Sequence, residues 1–346
     1  MVVNWGVVGC GGIARRRTIP EGIVPAKNSK LIAVMDANNA IAQEMAKTLK
    51  VKCYRSEEEL LSDPEINAVY IATPAYLHYP QTMKALHAGR HVLVEKPLAT
   101  SLTECEAMVV GAEEEELNLG VGYMMRFHGL HQKLRKMLAE GKLGKPVLGR
   151  AQLSCWYPPI AGAWRQDPIQ GGGGSFIDMG NHLLDVLEYI FASPVSEISC
   201  FTGRLIQSYP VEDSSLTMVR FKNGALGIVD AFFSIPDNSS RNMLEIYGST
   251  GSVLAEGTIG QSPGGKVRAF LEGEAKTYDA RQARPAEEGM PVEFTPVNTY
   301  QAEIEEFAAA IIENRKPQVS GEEGLWSQKL VLAAYESART GRSIKI

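Results

Sequence analysis

The residues best equipped for chemistry in this sequence fall in two places. Lys96 stands in Glu95-Lys96-Pro97 directly after the apolar run His91-Val92-Leu93-Val94, and Asp178 and His182 stand four positions apart in the apolar stretch 175–191. A lysine at the carboxyl end of a buried strand points into the crevice where open α/β sheets bind ligands, a place dry enough to alter its chemistry. Lys96 is there a candidate acid, base or substrate clamp, although a strand-end lysine taken alone is more often a surface charge. On a helix, positions i and i+4 project from one face one turn apart. Asp178 can then raise the basicity of His182 and fix its ring, which suits removal of a hydroxyl proton while the carbon gives up hydride. The competing reading is a buried structural contact between the two. Asp185, three residues beyond His182, is a further partner of that pair or a solvated helix residue.

The elements that must position these groups begin with the apolar run 2–8. It feeds at once into Gly9-Cys10-Gly11-Gly12-Ile13-Ala14, after which a helix is expected. In such a strand-turn-helix, Gly9 permits the tight turn, Gly11 lets the backbone approach a pyrophosphate, and Ala14 allows helix and strand to pack closely. The free N–H groups of the helix start face the phosphates. A glycine-rich surface turn is the plainer alternative. The second strand, 31–35, ends in Asp36, about 20 residues beyond the glycines, where a ribose-binding carboxylate belongs. Asp36 would repel a 2′-phosphate, and Ala37-Asn38-Asn39 offer no arginine to neutralise one, so NAD is preferred and NADP stays possible. Arg15-Arg16-Arg17, which by position could reach a phosphate, are read as assisting the pyrophosphate or as solvated, and Asp36 is also a candidate N-cap for a helix at 40–49. Strand and helix continue to alternate: strand 68–72, Thr73-Pro74 placed to line the cofactor, helix 77–88, the strand leading to Lys96, and helix 102–117, whose four glutamates 113–116 read as a solvated face. His78, at a helix start, reads as solvated or capping.

After Val121 the character changes. Residues 126–140 look helical, 146–156 look extended, and Trp164-Arg165 precedes four glycines, 171–174, that open the helix carrying Asp178 and His182. Alternating runs at 216–221, 225–233 and 243–247 resemble antiparallel strands. Two helices, 299–314 and 322–340, follow, with loops at 263–265 and 279–289. Trp156, Tyr157 and Trp164 would suit stacking against a ligand ring, or equally serve as core or interface.

Size and composition limit the function classes. A chain of 346 residues, 45% hydrophobic and 22% charged, is globular with two domains expected. A net charge of -5 without a basic stripe offers no footprint for nucleic acid or an anionic membrane. Cys10, Cys53, Cys105, Cys155 and Cys200 are an odd number with no metal-ligand spacing, so reduced buried thiols and no metal are expected. With no charged leader and no apolar run long enough to cross a bilayer, the expected location is the cytoplasm.

Gly9-x-Gly11-Gly12-Ile13-Ala14, Glu95-Lys96-Pro97 and Gly172-Gly173-Gly174-x-x-x-Asp178-x-Gly180-x-His182-x-x-Asp185, in this order, resemble the Gfo/Idh/MocA oxidoreductases over essentially the whole chain. The resemblance implies an α/β Rossmann domain (doubly wound, mostly parallel) over residues 1–123, then an α+β domain with a large, mostly antiparallel sheet over 124–346 that binds substrate and makes homodimers or homotetramers. It implies reversible oxidation of a sugar, cyclitol or polyol hydroxyl. Lys96 matches the family's active-site lysine, Asp178 its carboxylate and His182 its usual proton acceptor. The cofactor would be held by Gly9, Gly11, Gly12, Ile13, Asp36, Thr73, Pro74, His78, Glu95, Lys96, Arg126, Trp164 and Arg165; Arg126 is alternatively a salt-bridged helix residue, and Trp164 core packing. Two other readings keep the fold: a nicotinamide-sensing binding protein without turnover, and a glycosidase that oxidises its sugar transiently with tightly held NAD.

Overall fold

The computed structural model describes residues 1–271, 280 and 288–346. Its α-helices are α1 (Asn39–Leu49), α2 (Glu57–Leu61), α3 (His78–His87), α4 (Leu102–Glu114), α5 (Gly129–Ala139), α6 (Pro168–Gly171), α7 (Asn181–Phe191), α8 (Thr299–Ile312) and α9 (Gly321–Thr340). The chain packs as two compact units. One comprises Met1–Met124, Ile160–Asp178 and Asn298–Lys329, and the other Met125–Pro159, Met179–Val297 and Leu330–Ile346. The loop expected at 279–289 lies for the most part outside the described residues.

The first unit is built on six parallel strands, β1 (Val3–Val8), β2 (Ser29–Met35), β3 (Lys52–Cys53), β4 (Ala68–Ile71), β5 (His91–Val94) and β6 (Leu119–Val121), in the order β3-β2-β1-β4-β5-β6. A parallel sheet covered on both faces needs continuous apolar runs rather than alternation. All four residues of β4 are buried accordingly, as are Val92, Leu93 and Val94 of β5. The strand order reverses between β1 and β4, and the crevice outside the carboxyl ends of the strands at such a reversal is where this architecture binds ligands. The glycine turn leads into a helix as expected, but residues Ala14–Ile23 wind as a π-helix with Pro20 inside it.

The first unit takes in two segments from later in the chain, Ile160–Asp178 and Asn298–Lys329. Helix α8 buries Tyr300, Ile304, Phe307 and Ala308. Ile304, Phe307 and Ala308 join Trp5, Ile19 and Ile23 in one apolar cluster, with the Phe307 and Trp5 rings 5.6 Å apart. Gly120 of β6 is small because Phe307 lies on it; a Cβ there would stand 2.7 Å from the Phe307 ring. Periodicity finds such a helix, but its apolar face carries no mark of which core it will cover.

The second unit carries nine strands, β7 (Pro146–Ser154), β8 (Val195–Gly203), β9 (Ser214–Phe221), β10 (Leu226–Phe232), β11 (Met243–Gly248), β12 (Gly251–Glu256), β13 (Lys266–Leu271), β14 (Met290–Pro291) and β15 (Ile344–Lys345). Their order is β14-β13-β12-β11-β7-β10-β9-β8-β15, antiparallel throughout except for the parallel pair β7–β10. Helix α7 covers one face. A Cβ at Gly149 of β7 would meet Leu187 and Phe191 at 2.8 and 2.9 Å, so glycine there admits the helix. On the opposite face Phe201, Leu216, Met218 and Leu226 are exposed. The stretch expected as one helix, 175–191, divides into a π-helical turn over Phe176–Gly180 and α7 proper. Asp178 lies in the turn and His182 in α7, so the simple i, i+4 register of a regular helix does not describe them.

Because α8 completes the core around Trp5, Phe307→Ala is expected to cost about 3–5 kcal/mol. Urea unfolding followed by Trp fluorescence checks this, and a loss under 1 kcal/mol would mean that α8 is not integral to that core.

Candidate functional site

The turn after β1 is shaped for an anionic ligand. Gly9 has φ +84°, and a Cβ there would stand 2.8 Å from Thr73 Cγ2 and 2.9 Å from the Ala72 carbonyl, so no other residue fits between β1 and the end of β4. At Gly12, φ +45°, a Cβ would meet nothing within 4 Å, which leaves an open cradle beside the backbone. No side chain caps the helix start at Ile13, so its N–H groups are left to a ligand or to water. Asp36 closes the cradle on the β2 side. Its Oδ2 accepts from the Gly11 N–H (3.2 Å) and its Oδ1 from the Asn38 N–H (2.8 Å). The N-cap of α1 is Asn38, whose side chain accepts from the Ala40 N–H. Asp36 therefore does not serve as the cap, and its orientation is fixed by two backbone donors. Open space, backbone donors and a fixed carboxylate fit a dinucleotide; Arg15 beside them is paired with Glu44 at 2.9 Å.

The ends of β4 and β5 are tied by His78, which is buried rather than solvated. Its Nδ1 lies 2.8 Å from the Pro97 carbonyl and its Nε2 3.0 Å from the Thr73 carbonyl, so the ring spans the loops that follow both strands. Burial lowers the imidazole's pKa despite those two carbonyls. Thr73 is further held by its hydroxyl, which donates to Gln81 Oε1 at 2.5 Å. Pro74 then starts a short 3-10 turn over Ala75–Leu77, and the Lys96–Pro97 peptide is cis.

Lys96 donates from Nζ to Asp178 Oδ1 at 2.7 Å and to the Asp178 carbonyl at 2.6 Å. The same Oδ1 accepts from Arg165 Nε at 3.0 Å. Only 10% of the lysine side chain and 22% of the aspartate side chain are exposed, so the pair is largely desolvated. An ammonium carries three donors. Two are spent on Asp178, and the third has no partner among the described residues. Burial alone would raise the Asp178 carboxyl, but the charges of Lys96 and Arg165 outweigh it and hold it well below the usual carboxylate range. The glycines that precede Asp178 make the arrangement possible. Gly171 sits against the backbone of Trp164 and Arg165, and Gly172, φ +77°, packs beside Thr100. Arg165 is steadied by stacking on Trp164, with the guanidinium 4.2 Å from the ring centroid.

Glu95, beside Lys96, is engaged from below. The Tyr70 hydroxyl donates to its Oε1 at 2.5 Å and is itself 2.9 Å from Thr18 Oγ1. Burial raises both the Glu95 carboxyl and, further, the Tyr70 phenol. Sequence reasoning missed Tyr70 and Thr18. The signal was available, since a tyrosine inside a fully buried strand must find a partner for its hydroxyl.

Two further candidates lie in the second unit. His182 is 7% exposed on α7. Arg126 makes a two-pronged contact with Asp185, Nε and Nη2 to Oδ1 at 2.9 and 2.6 Å, and both side chains are buried. Asp185 is thus the partner of Arg126 and not a solvated residue. The thiol of Cys10 within the glycine turn is buried and pushed up to about 12, as befits a packing group. No set of three or more His, Cys, Asp or Glu side chains among the described residues could hold a metal ion.

The lowered pKa of Asp178 gives a signed expectation. A carboxyl lower in the folded than in the unfolded chain stabilises the fold above its unfolded pKa of about 3.9, and that contribution is lost as pH falls through the folded value. Urea midpoints measured from pH 6 down to pH 2 are expected to fall more steeply for the wild type than for Asp178→Asn. Parallel profiles would remove Asp178 from the acid response.

Residues 3–123 match the family model described as an oxidoreductase family, NAD-binding Rossmann fold, and residues 131–254 match the GFO/IDH/MocA C-terminal domain. The chain is 30% identical to the 1,5-anhydro-D-fructose reductase of Ensifer adhaerens, over 99% of this chain and 98% of that protein. It is 27% identical to the myo-inositol 2-dehydrogenase of Thermotoga maritima, again over 99% and 98%. In fold it resembles the aldose-aldose oxidoreductase of Caulobacter crescentus crystallised with glycerol, with a TM-score of 0.89, 24% identity and full coverage of both chains. With a fixed carboxylate beside the glycine cradle, a desolvated lysine at the end of β5 and these matches along its length, the chain belongs to the Gfo/Idh/MocA family of NAD(P)-dependent oxidoreductases.

Proposed function

We propose that the protein is an NAD-preferring dehydrogenase or reductase acting at a hydroxyl or keto carbon of a sugar, cyclitol or related polyol. The observation that carries this reading is Lys96, desolvated, held by Asp178 through two of its protons and left with a third. Relatives named as an anhydrofructose reductase and an inositol dehydrogenase support the substrate class. When bound, the nicotinamide accepts or supplies the hydride. The protein's residues handle the rest. Lys96 would hydrogen-bond the reacting oxygen through its third N–H, keeping the proton, and stabilise negative charge developing there. Asp178, kept ionised, holds Lys96 in place, and His182 takes the proton from the hydroxyl. Asp36 receives the adenosine ribose hydroxyls, and the Gly9–Gly12 turn receives the pyrophosphate. The other cofactor contacts are assigned to Ile13, Thr73, Pro74, Glu95, Trp164, Arg165 and Arg126; His78, expected among them, is fully buried with both ring nitrogens against carbonyls and acts instead by holding Thr73 and Pro97. We further assign the protein to the cytoplasm, as a homodimer or homotetramer formed through the sheet face that exposes Phe201, Leu216, Met218 and Leu226.

Lys96→Ala and His182→Ala are each expected to lower kcat by roughly 10²–10⁴-fold; full turnover by Lys96→Ala would overturn its assignment. A panel of aldoses, inositols and their keto forms, run with NAD(H) and NADP(H) and read by the absorbance of reduced nicotinamide, is expected to give turnover with NAD. A strong preference for NADP would overturn the reading of Asp36. Cleavage of glycosides without net reduced cofactor would replace dehydrogenation by transient oxidation.

A further inference from the structure

Glu95 has no role in the proton chemistry assigned to Lys96, Asp178 and His182, yet the fold invests several residues in it. It ends β5, Tyr70 reaches it from β4, and Gly122 follows β6 beneath it. A Cβ at position 122 would stand 3.2 Å from Glu95 Oε2, so a side chain there would crowd the carboxylate. Tyr70, fully buried, spends its hydroxyl proton on Oε1 and is backed by Thr18 from the helix after the glycine turn. Glu95 as a residue is not closed off completely from the surface, although its carboxyl is largely desolvated. No lysine or arginine forms an ion pair with it among the described residues. Lys96 and Arg165 stand near enough to be felt, but both are bonded to Asp178. Burial pushes this carboxyl upward, and a positive ligand beside it would oppose that push and favour its ionised form, so a carboxylate held by Tyr70 without an ion-pair partner suits a cationic ligand.

The position says which. In a doubly wound sheet the dinucleotide lies across the strand reversal, here between β1 and β4. With Asp36 marking the adenosine half on the β2 side, the nicotinamide half falls to β4, β5 and β6, the three strands that contribute Tyr70, Glu95 and Gly122. The oxidised nicotinamide ring carries a positive charge, and the reduced ring is neutral. We propose that Glu95 is the counter-charge by which this protein distinguishes the two, favouring NAD⁺ over NADH and so setting the redox balance of the bound couple. This rests on the proposed function, since it requires that the chain bind NAD.

The test measures binding, not turnover. Dissociation constants for NAD⁺ and NADH are determined without substrate, by titration calorimetry, for the wild type, Glu95→Gln, Glu95→Asp and Tyr70→Phe. Glu95→Gln is expected to weaken NAD⁺ at least about fivefold, the scale of one charge pair about 4 Å apart even at the dielectric of water, while NADH changes less than about twofold. Glu95→Asp keeps the charge and should keep most of the wild-type ratio even if Glu95→Gln fails to fold. Tyr70→Phe leaves the charge but releases it, and should shift the ratio in the direction of Glu95→Gln by less. Equal weakening of both cofactors in Glu95→Gln, or loss of the ratio in Glu95→Asp at unchanged fold, would reduce Glu95 to a packing residue and overturn this inference alone. A wild-type protein that binds neither dinucleotide would overturn the parent reading, and this one with it.

Discussion

An ammonium group withdrawn from water must have its charge met by protein, and in this molecule that requirement organises everything around it. Lys96 sits at the end of β5 with a tenth of its side chain exposed, and Asp178 meets it with both a carboxylate oxygen and a backbone carbonyl. Eighty-two residues separate the two. The chain closes that distance with small residues, a left-handed glycine and a π-helical turn, each of which brings backbone closer than a regular helix with ordinary side chains would allow. Asp178 in turn draws in Arg165, and Arg165 draws in Trp164. One desolvated charge thereby recruits a segment of chain into the unit that carries the parallel sheet.

Much of this was legible in the sequence because the relevant signals are local. Apolar runs without alternation gave buried parallel strands, the glycine turn gave the cradle, and Asp36 came at the end of the next strand. Partnership was legible only in part. Asp178 and His182 invite a reading as a pair by spacing alone, yet the contacts made by Asp178 in its own unit go to Lys96 and Arg165. Arg126 reads as a salt-bridged residue in the sequence, but nothing there names its partner, Asp185, 59 residues away. His78 looked like a helix-start residue and is a buried strut between two loops. In each case the missing information is three-dimensional: a charge or ring nitrogen declares that it needs a partner but not where the chain will deliver one.

Electrostatically the site is a set of opposed charges held at fixed positions rather than a single reactive group. Asp178 is kept ionised by two cations, whereas Glu95, one residue from Lys96, is pushed toward its neutral form by burial. Two carboxyls within one crevice are thus shifted in opposite directions, so that Glu95 takes up its proton at higher pH than Asp178. That contrast arises from placement alone, since the side chains carry the same functional group.

The placement of α8 bears on how the chain is made. The face of the first unit around Trp5, Ile19 and Ile23 is covered by residues that lie some 300 positions later. At a synthesis rate of about 5–20 residues per second, roughly 10–40 seconds pass between the emergence of β6 and that of the helix which seals the core. During that interval the parallel sheet has an uncovered apolar flank. The nascent chain therefore passes through an interval, set by sequence order alone, in which the apolar face later sealed by Phe307 is open.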